Sequence, residues 1–180
     1  MTEEAGGHRR IDRVLGSDYA EGLQDLPLAE VKRRRDECLA EREYQSLMRR
    51  LVQGRLDILR AEQVRRDTGN DEGSLVDALV QTLSAESSPA STTRGEALSL
   101  AIPPEEMTLA RRRVEGLVAD TGISDPRSLP EDELGQAIER LETEERRVSA
   151  ERASVLAVHD RFQEELKRRY KVDPSEALSS

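Results

Sequence analysis

Ser46, Arg49, Gln53 and Asp57 follow one another at steps of 3, 4 and 4. On a helix turning ~100° per residue they fall within roughly 80° of arc and extend over about 16 Å. Glu145, Ser149, Arg152 and Asp160 share one helix face in the same way. Such a face has a definite chemistry. An arginine donates to O6 and N7 of guanine and stacks on flat rings. A carboxylate on a nearby turn accepts from the N1–H and exocyclic amine of the same base. Ser and Gln donate to phosphate or sugar oxygens. Two copies on facing helices would make a pseudo-twofold site. That geometry suits a twofold ligand, such as a cyclic dinucleotide of guanine or a dimer of one.

A single Ser, Arg or Asp on a helix is most often solvated surface. Repetition argues otherwise here. A shift of 103 residues lays 26–62 on 129–165. Leu26-Pro27 falls on Leu129-Pro130, Glu30 on Glu133, Glu41 on Glu144 and Glu62 on Glu165. Ser46, Arg49 and Asp57 fall on Ser149, Arg152 and Asp160. Val31, Cys38, Val52 and Leu59 fall on Leu134, Leu141, Val155 and Phe162. A core pattern and a polar set are both kept, and a solvated face has no reason to keep the second.

Long helices must carry these residues. The chain has 180 residues, of which 36% are charged, 36% hydrophobic and only 2% aromatic. Ala, Glu, Leu and Arg dominate, as in coiled coils, while a sandwich or an α/β enzyme needs more aromatic and β-branched residues. The predicted fold is all-α: two long helices in an intramolecular coiled coil, with one or two shorter helices between them. Residues 1–24 read as a disordered N-terminal tail, and 25–180 as a single coiled-coil domain. Asp25 is a candidate N-cap with Pro27 in the first turn. The first long helix is expected over about 26–67, stopped by Asp67-Thr68-Gly69-Asn70. Helical spacing predicts short helices at 74–84 and 104–119, with a flexible linker at 84–95. Ser128-Leu-Pro-Glu131 reads as a capping box opening a helix over about 129–171, followed by a short tail at 172–180.

The second long helix carries Ile138, Leu141, Val148, Val155, Phe162 and Leu166 at steps of 3, 7, 7, 7 and 4. This is a heptad seam, interrupted at its alternate positions by Glu145, Arg152 and His159. A seam of this length needs a partner helix, and the first long helix is the candidate. Orientation stays open in the sequence, with antiparallel preferred.

The same composition excludes several functions. Net charge is −9, which opposes non-specific binding to nucleic acid. The one cysteine, Cys38, forbids an internal disulfide and a cysteine zinc site, and reads as a small core residue. His8 lies in the tail. No apolar run approaches the ~20 residues of a membrane span, and residues 1–13 do not read as a signal peptide. A cytoplasmic protein is expected. No catalytic triad, metal spacing or phosphate-binding glycine loop stands out, so no enzyme is expected and no metal or catalytic cofactor. His159 is a candidate ligand contact or pH sensor, although a satisfied seam histidine is the commoner case. Apolar segments 75–83 and 97–102 read as cover for the rod, or as elements that order on a partner.

These residues resemble the RsiG-type anti-sigma factors of sporulating actinobacteria, cyclic-di-GMP-binding partners of the sigma factor WhiG. The family pattern is Glu-x3-Ser-x2-Arg-x3-Gln-x3-Asp, present twice. The first copy here is Ser46, Arg49, Gln53 and Asp57, with Arg42 at the Glu position and Glu43 beside it. The second is Glu145, Ser149, Arg152 and Asp160, with Leu156 where Gln is expected. Residues 48–62, MRRLVQGRLDILRAE, also resemble the family, and the likeness covers about 75 residues of the two long helices. It implies a coiled coil that binds a dimer of cyclic-di-GMP on the repeated motif. So loaded, it would sequester a WhiG-like sporulation sigma factor from RNA polymerase, the chain being monomeric before it meets that partner. Residues 28–66 hold 11 Lys and Arg against 7 Asp and Glu, a local excess that suits an anionic ligand. The rival is a ligand-independent coiled-coil adaptor or scaffold that uses its apolar stripe. It is indifferent to the repeated polar face.

Overall fold

A computed structural model describes residues 10–69, 102–119 and 126–172. The elements are α1 (Arg10–Val14), α2 (Leu28–Thr68), α3 (Pro104–Ala119), a 3-10 turn (Pro126–Ser128) and α4 (Glu131–Val172). The two long helices, α2 and α4, pack against each other. Segments 74–84 and 84–95, and the tail beyond Val172, lie outside the described residues.

Local chemistry sets the helix ends. The Pro27 carbonyl accepts from the amides of Glu30 at 3.0 Å and Val31 at 3.1 Å, so α2 starts after the proline rather than at Asp25. Pro130 does the same for Leu134 at 2.9 Å. Gly69 stops α2 in the left-handed region, φ 64°, where a side chain would be strained. Glu131, Asp132 and Glu133 open α4, and Arg169 and Lys171 close it, which suits the helix dipole.

The heptad seam expected of α4 is buried, and α2 shows the same seven-residue spacing. Val31, Cys38, Gln45, Val52 and Leu59 of α2 are buried at steps of seven. In α4, Ile138, Leu141, Val148, Val155, Phe162 and Leu166 are buried, while Glu145, Arg152 and His159 are half-buried. Gln45 is the polar member of its row. Its Nε2 donates to the buried Glu41 carboxylate at 2.7 Å, and Glu41 also takes the Arg10 guanidinium at 2.7 Å.

The chain divides into two compact units, Met1–Ser46 with Ser149–Ser180, and Leu47–Val148. In the first, Val14, Tyr19, Ala20, Val31, Cys38, Val155, Phe162 and Leu166 form one core. The disordered tail expected over 1–24 is corrected for residues 10–24, which are helix and turns, while 1–9 lie outside the described residues. The Tyr19 ring meets Phe162 edge-on at 5.7 Å. Its hydroxyl donates to Glu37 at 2.9 Å, and Arg13 pairs with the same carboxylate. Composition missed this because Ile11, Val14, Tyr19 and Leu23 are sparse among polar residues. They are still enough to cover the ends of α2 and α4 in this unit. Burial pushes the Cys38 thiol up to about 12, which leaves it an inert core group.

In the second unit, Met48, Val52, Leu56 and Leu59 of α2 are buried, as are Leu134, Ala137, Ile138 and Leu141 of α4. Ala110 and Val114 of α3 are buried too, and Arg113 pairs with Glu144 at 3.5 Å.

Each unit shows that α2 and α4 run antiparallel. In the first, Arg169 at the end of α4 donates to the carbonyls of Leu26 (2.7 Å), Gln24 (3.0 Å) and Leu23 (3.1 Å), just before α2 begins. In the second, Arg66 at the end of α2 donates to the carbonyls of Pro126 (2.9 Å) and Arg127 (3.4 Å), just before α4 begins. The same 103-residue shift relates the two arrangements.

Candidate functional site

The motif residues form a cluster in each unit. In Leu47–Val148, Arg49 Nε donates to Glu145 Oε1 at 2.9 Å and Gln53 Nε2 donates to the same oxygen at 3.1 Å. The Arg49 side chain is 43% exposed and Glu145 21%. Asp57, one turn beyond Gln53, is exposed. An open groove of about 490 Å³ is lined by Gln53, Asp57 and Arg60 of α2 and by Glu142, Glu145 and Arg146 of α4. Arg60 pairs across it with Glu142 at 2.8 Å.

In the other unit, Ser46 Oγ donates to the Arg42 carbonyl at 2.8 Å and accepts from Arg152 Nε at 3.0 Å. Arg152 is half-buried, as are Ser149 and Leu156. Asp160 is exposed and lies 3.1 Å from Nδ1 of its neighbour His159. Arg42 pairs with Glu43 at 2.6 Å.

The packing therefore couples the two sequence copies. Arg49 of the first meets Glu145 of the second, and Ser46 of the first meets Arg152 of the second. The sequence suggested instead that each arginine works with an aspartate on its own helix. The helical spacing puts Asp57 and Arg49 on one face, but the nearest carboxylate to Arg49 comes from α4. Sequence reasoning missed Arg60, Glu142 and Arg146. A wheel extended three residues past Asp57 finds Arg60, and Arg146 directly follows Glu145.

Chemically, the groove offers guanidinium donors beside carboxylate acceptors, with Leu56 as its one apolar lining residue. It can hydrogen-bond a flat heterocycle that carries both acceptors and N–H donors. Among the described residues no three His, Cys, Asp or Glu side chains gather to hold a metal ion.

The sequence profile of RsiG-like proteins matches residues 17–83. Over these residues the chain is similar to the RsiG-like family. The matched stretch contains Ser46, Arg49, Gln53 and Asp57, and ends before the second copy begins. This likeness points to an anti-sigma role. Among curated proteins, none matches the chain. Within the described residues, no helix is long and apolar enough to cross a membrane.

Proposed function

We propose that this chain is a cytoplasmic anti-sigma factor that binds cyclic-di-GMP, as a dimer, on its repeated Ser/Arg/Asp face, with Gln53 added in the first copy. In that state it holds a WhiG-like sporulation sigma factor away from RNA polymerase. One observation carries the reading: Arg49 and Gln53 converge on Glu145 at the wall of an open groove that also exposes Asp57. Donors and acceptors for a guanine edge are thus gathered on rigid helices. No bond is made or broken, so the device is a thermodynamic switch. Ligand and sigma factor must raise each other's affinity by the same factor.

Isothermal titration of the protein with cyclic-di-GMP, beside cyclic-di-AMP, tests the reading. Guanine-specific binding near two ligands per chain is expected, and sigma-factor capture should rise with ligand. Asp57→Ala and Arg152→Ala should each remove binding at unchanged helicity. Absence of binding with and without the sigma factor would overturn the proposal and favour the ligand-independent scaffold. On the scaffold reading, the Arg49–Glu145 and Ser46–Arg152 contacts serve only to set helix register.

A further inference from the structure

The groove beside Asp57 holds two arginines outside the repeated motif, and they are placed differently. Arg60 is already neutralised by Glu142 at 2.8 Å. Arg146 is exposed, and its partner among the described residues is a neutral one, the Thr143 hydroxyl, at 3.1 Å. The carboxylates of the same groove are otherwise engaged or on the far helix. Glu145 is taken by Arg49 and Gln53, Glu142 by Arg60, and Asp57 projects from α2. A guanidinium at a groove wall with only a neutral partner retains its capacity to bind an anion. Its planar fork matches two oxygens of a phosphodiester.

We infer that Arg146 binds a phosphodiester oxygen of the ligand seated in this groove, with Arg60 as a second, exchangeable contact. The inference rests on the cyclic-dinucleotide reading above and adds a charged phosphate contact beside the neutral Ser and Gln donors of the motif. The motif residues supply the base-reading groups and neutral donors, while positive charge for the backbone comes from outside it. Arg60 can join by leaving Glu142, because an exposed ion pair of this kind is weakly held in water.

The test compares wild type, Arg146→Ala, Arg60→Ala and Arg111→Ala by titration with cyclic-di-GMP at two salt concentrations, with circular dichroism as the folding control. Arg111 is exposed on α3 and changes the net charge by the same amount outside the groove. Arg146→Ala should weaken binding about tenfold, as loss of a charged hydrogen bond does, and should flatten its salt dependence. Arg60→Ala should weaken it less, and Arg111→Ala should leave it unchanged. Wild-type affinity and salt slope in Arg146→Ala would overturn the assignment. So would an equal loss in Arg111→Ala, which would reduce the effect to net charge. Failure of the wild type itself to bind would overturn the cyclic-dinucleotide reading and this inference together.

Discussion

Glu62 and Glu165 lie 103 positions apart and are held in the same way. Each is buried. Each accepts from arginines three and four residues further on: Arg65 and Arg66 at 2.8 and 2.7 Å, Arg168 and Arg169 at 2.6 and 2.7 Å. The second arginine of each pair then reaches the carbonyls that precede the other long helix. The carboxylate fixes the arginine, and the arginine caps the carbonyls of a chain entrance. A repeated structural lock thus accompanies the repeated polar face.

Acid should loosen these locks. Hydrogen bonds, first from Arg65 and from Arg168, hold both carboxyls at about 2, below their ordinary 4.5. A carboxyl lowered in the folded state stabilises fully above its unfolded value, and the gain is lost as pH falls toward the folded value. Unfolding free energy from urea titrations should therefore drop between about pH 5 and 2. Glu62→Gln and Glu165→Gln should each flatten that drop. A double variant with the wild-type acid slope would move the effect to other carboxylates, such as Glu30.

The arginines should matter through the backbone they hold. Arg169→Ala and Arg66→Ala should each cost about 1–3 kcal/mol, the range for charged hydrogen bonds. Arg169 should cost more, since it serves three carbonyls to the two of Arg66. Lysine should rescue neither, because it lacks the planar fork. Hydrogen exchange should accelerate near residues 23–28 in the first variant and near 126–131 in the second. Uniform acceleration in both would argue against local capping.

The Arg49–Glu145 pair should contribute little to folding. It is partly exposed, and pairs of that kind couple by about 0.2–1 kcal/mol. A double-mutant cycle of Arg49→Ala and Glu145→Ala, read by thermal melts, should give a coupling in that range. The same substitutions should abolish cyclic-di-GMP binding. A coupling of several kcal/mol with binding intact would make the pair structural.

The segment before α2 should be part of the fold. Tyr19→Ala should destabilise by about 3 kcal/mol, as loss of a buried aromatic does. Tyr19→Phe should cost about 1 kcal/mol, the hydrogen bond to Glu37. Deletion of residues 1–24 should lower the melting temperature strongly. An unchanged melting temperature would show that the core of Val14, Tyr19 and Phe162 is dispensable.

Much of the fold was legible because it is local chemistry. Pro27, Gly69 and Pro130 mark helix ends through the backbone alone, and they fell within two or three residues of the observed ends. The seven-residue row from Val31 to Leu59 and its echo from Leu134 to Phe162 are periodicities that one helix imposes on its own sequence. The repeat was legible in Ser46, Arg49 and Asp57 for the same reason. Its alignment ended at Glu62 and Glu165, three residues short of the arginines that give those glutamates their purpose.

Tertiary structure decided what depends on residues far apart in the chain. Helix direction came from Arg169 reaching Leu26 and Arg66 reaching Pro126, contacts that heptad spacing does not encode because a seam packs in either sense. The order of residues 10–24 came from Tyr19 meeting Phe162, a match of shape that polar composition conceals. The partner of Arg49 came from α4, because burial brings Glu145 to it while Asp57 points outward. Sequence thus determined which residues lie on which helix face, a matter of angle along one axis. Only packing determined which faces meet and which charges answer each other, because that is fixed by the antiparallel register of two helices.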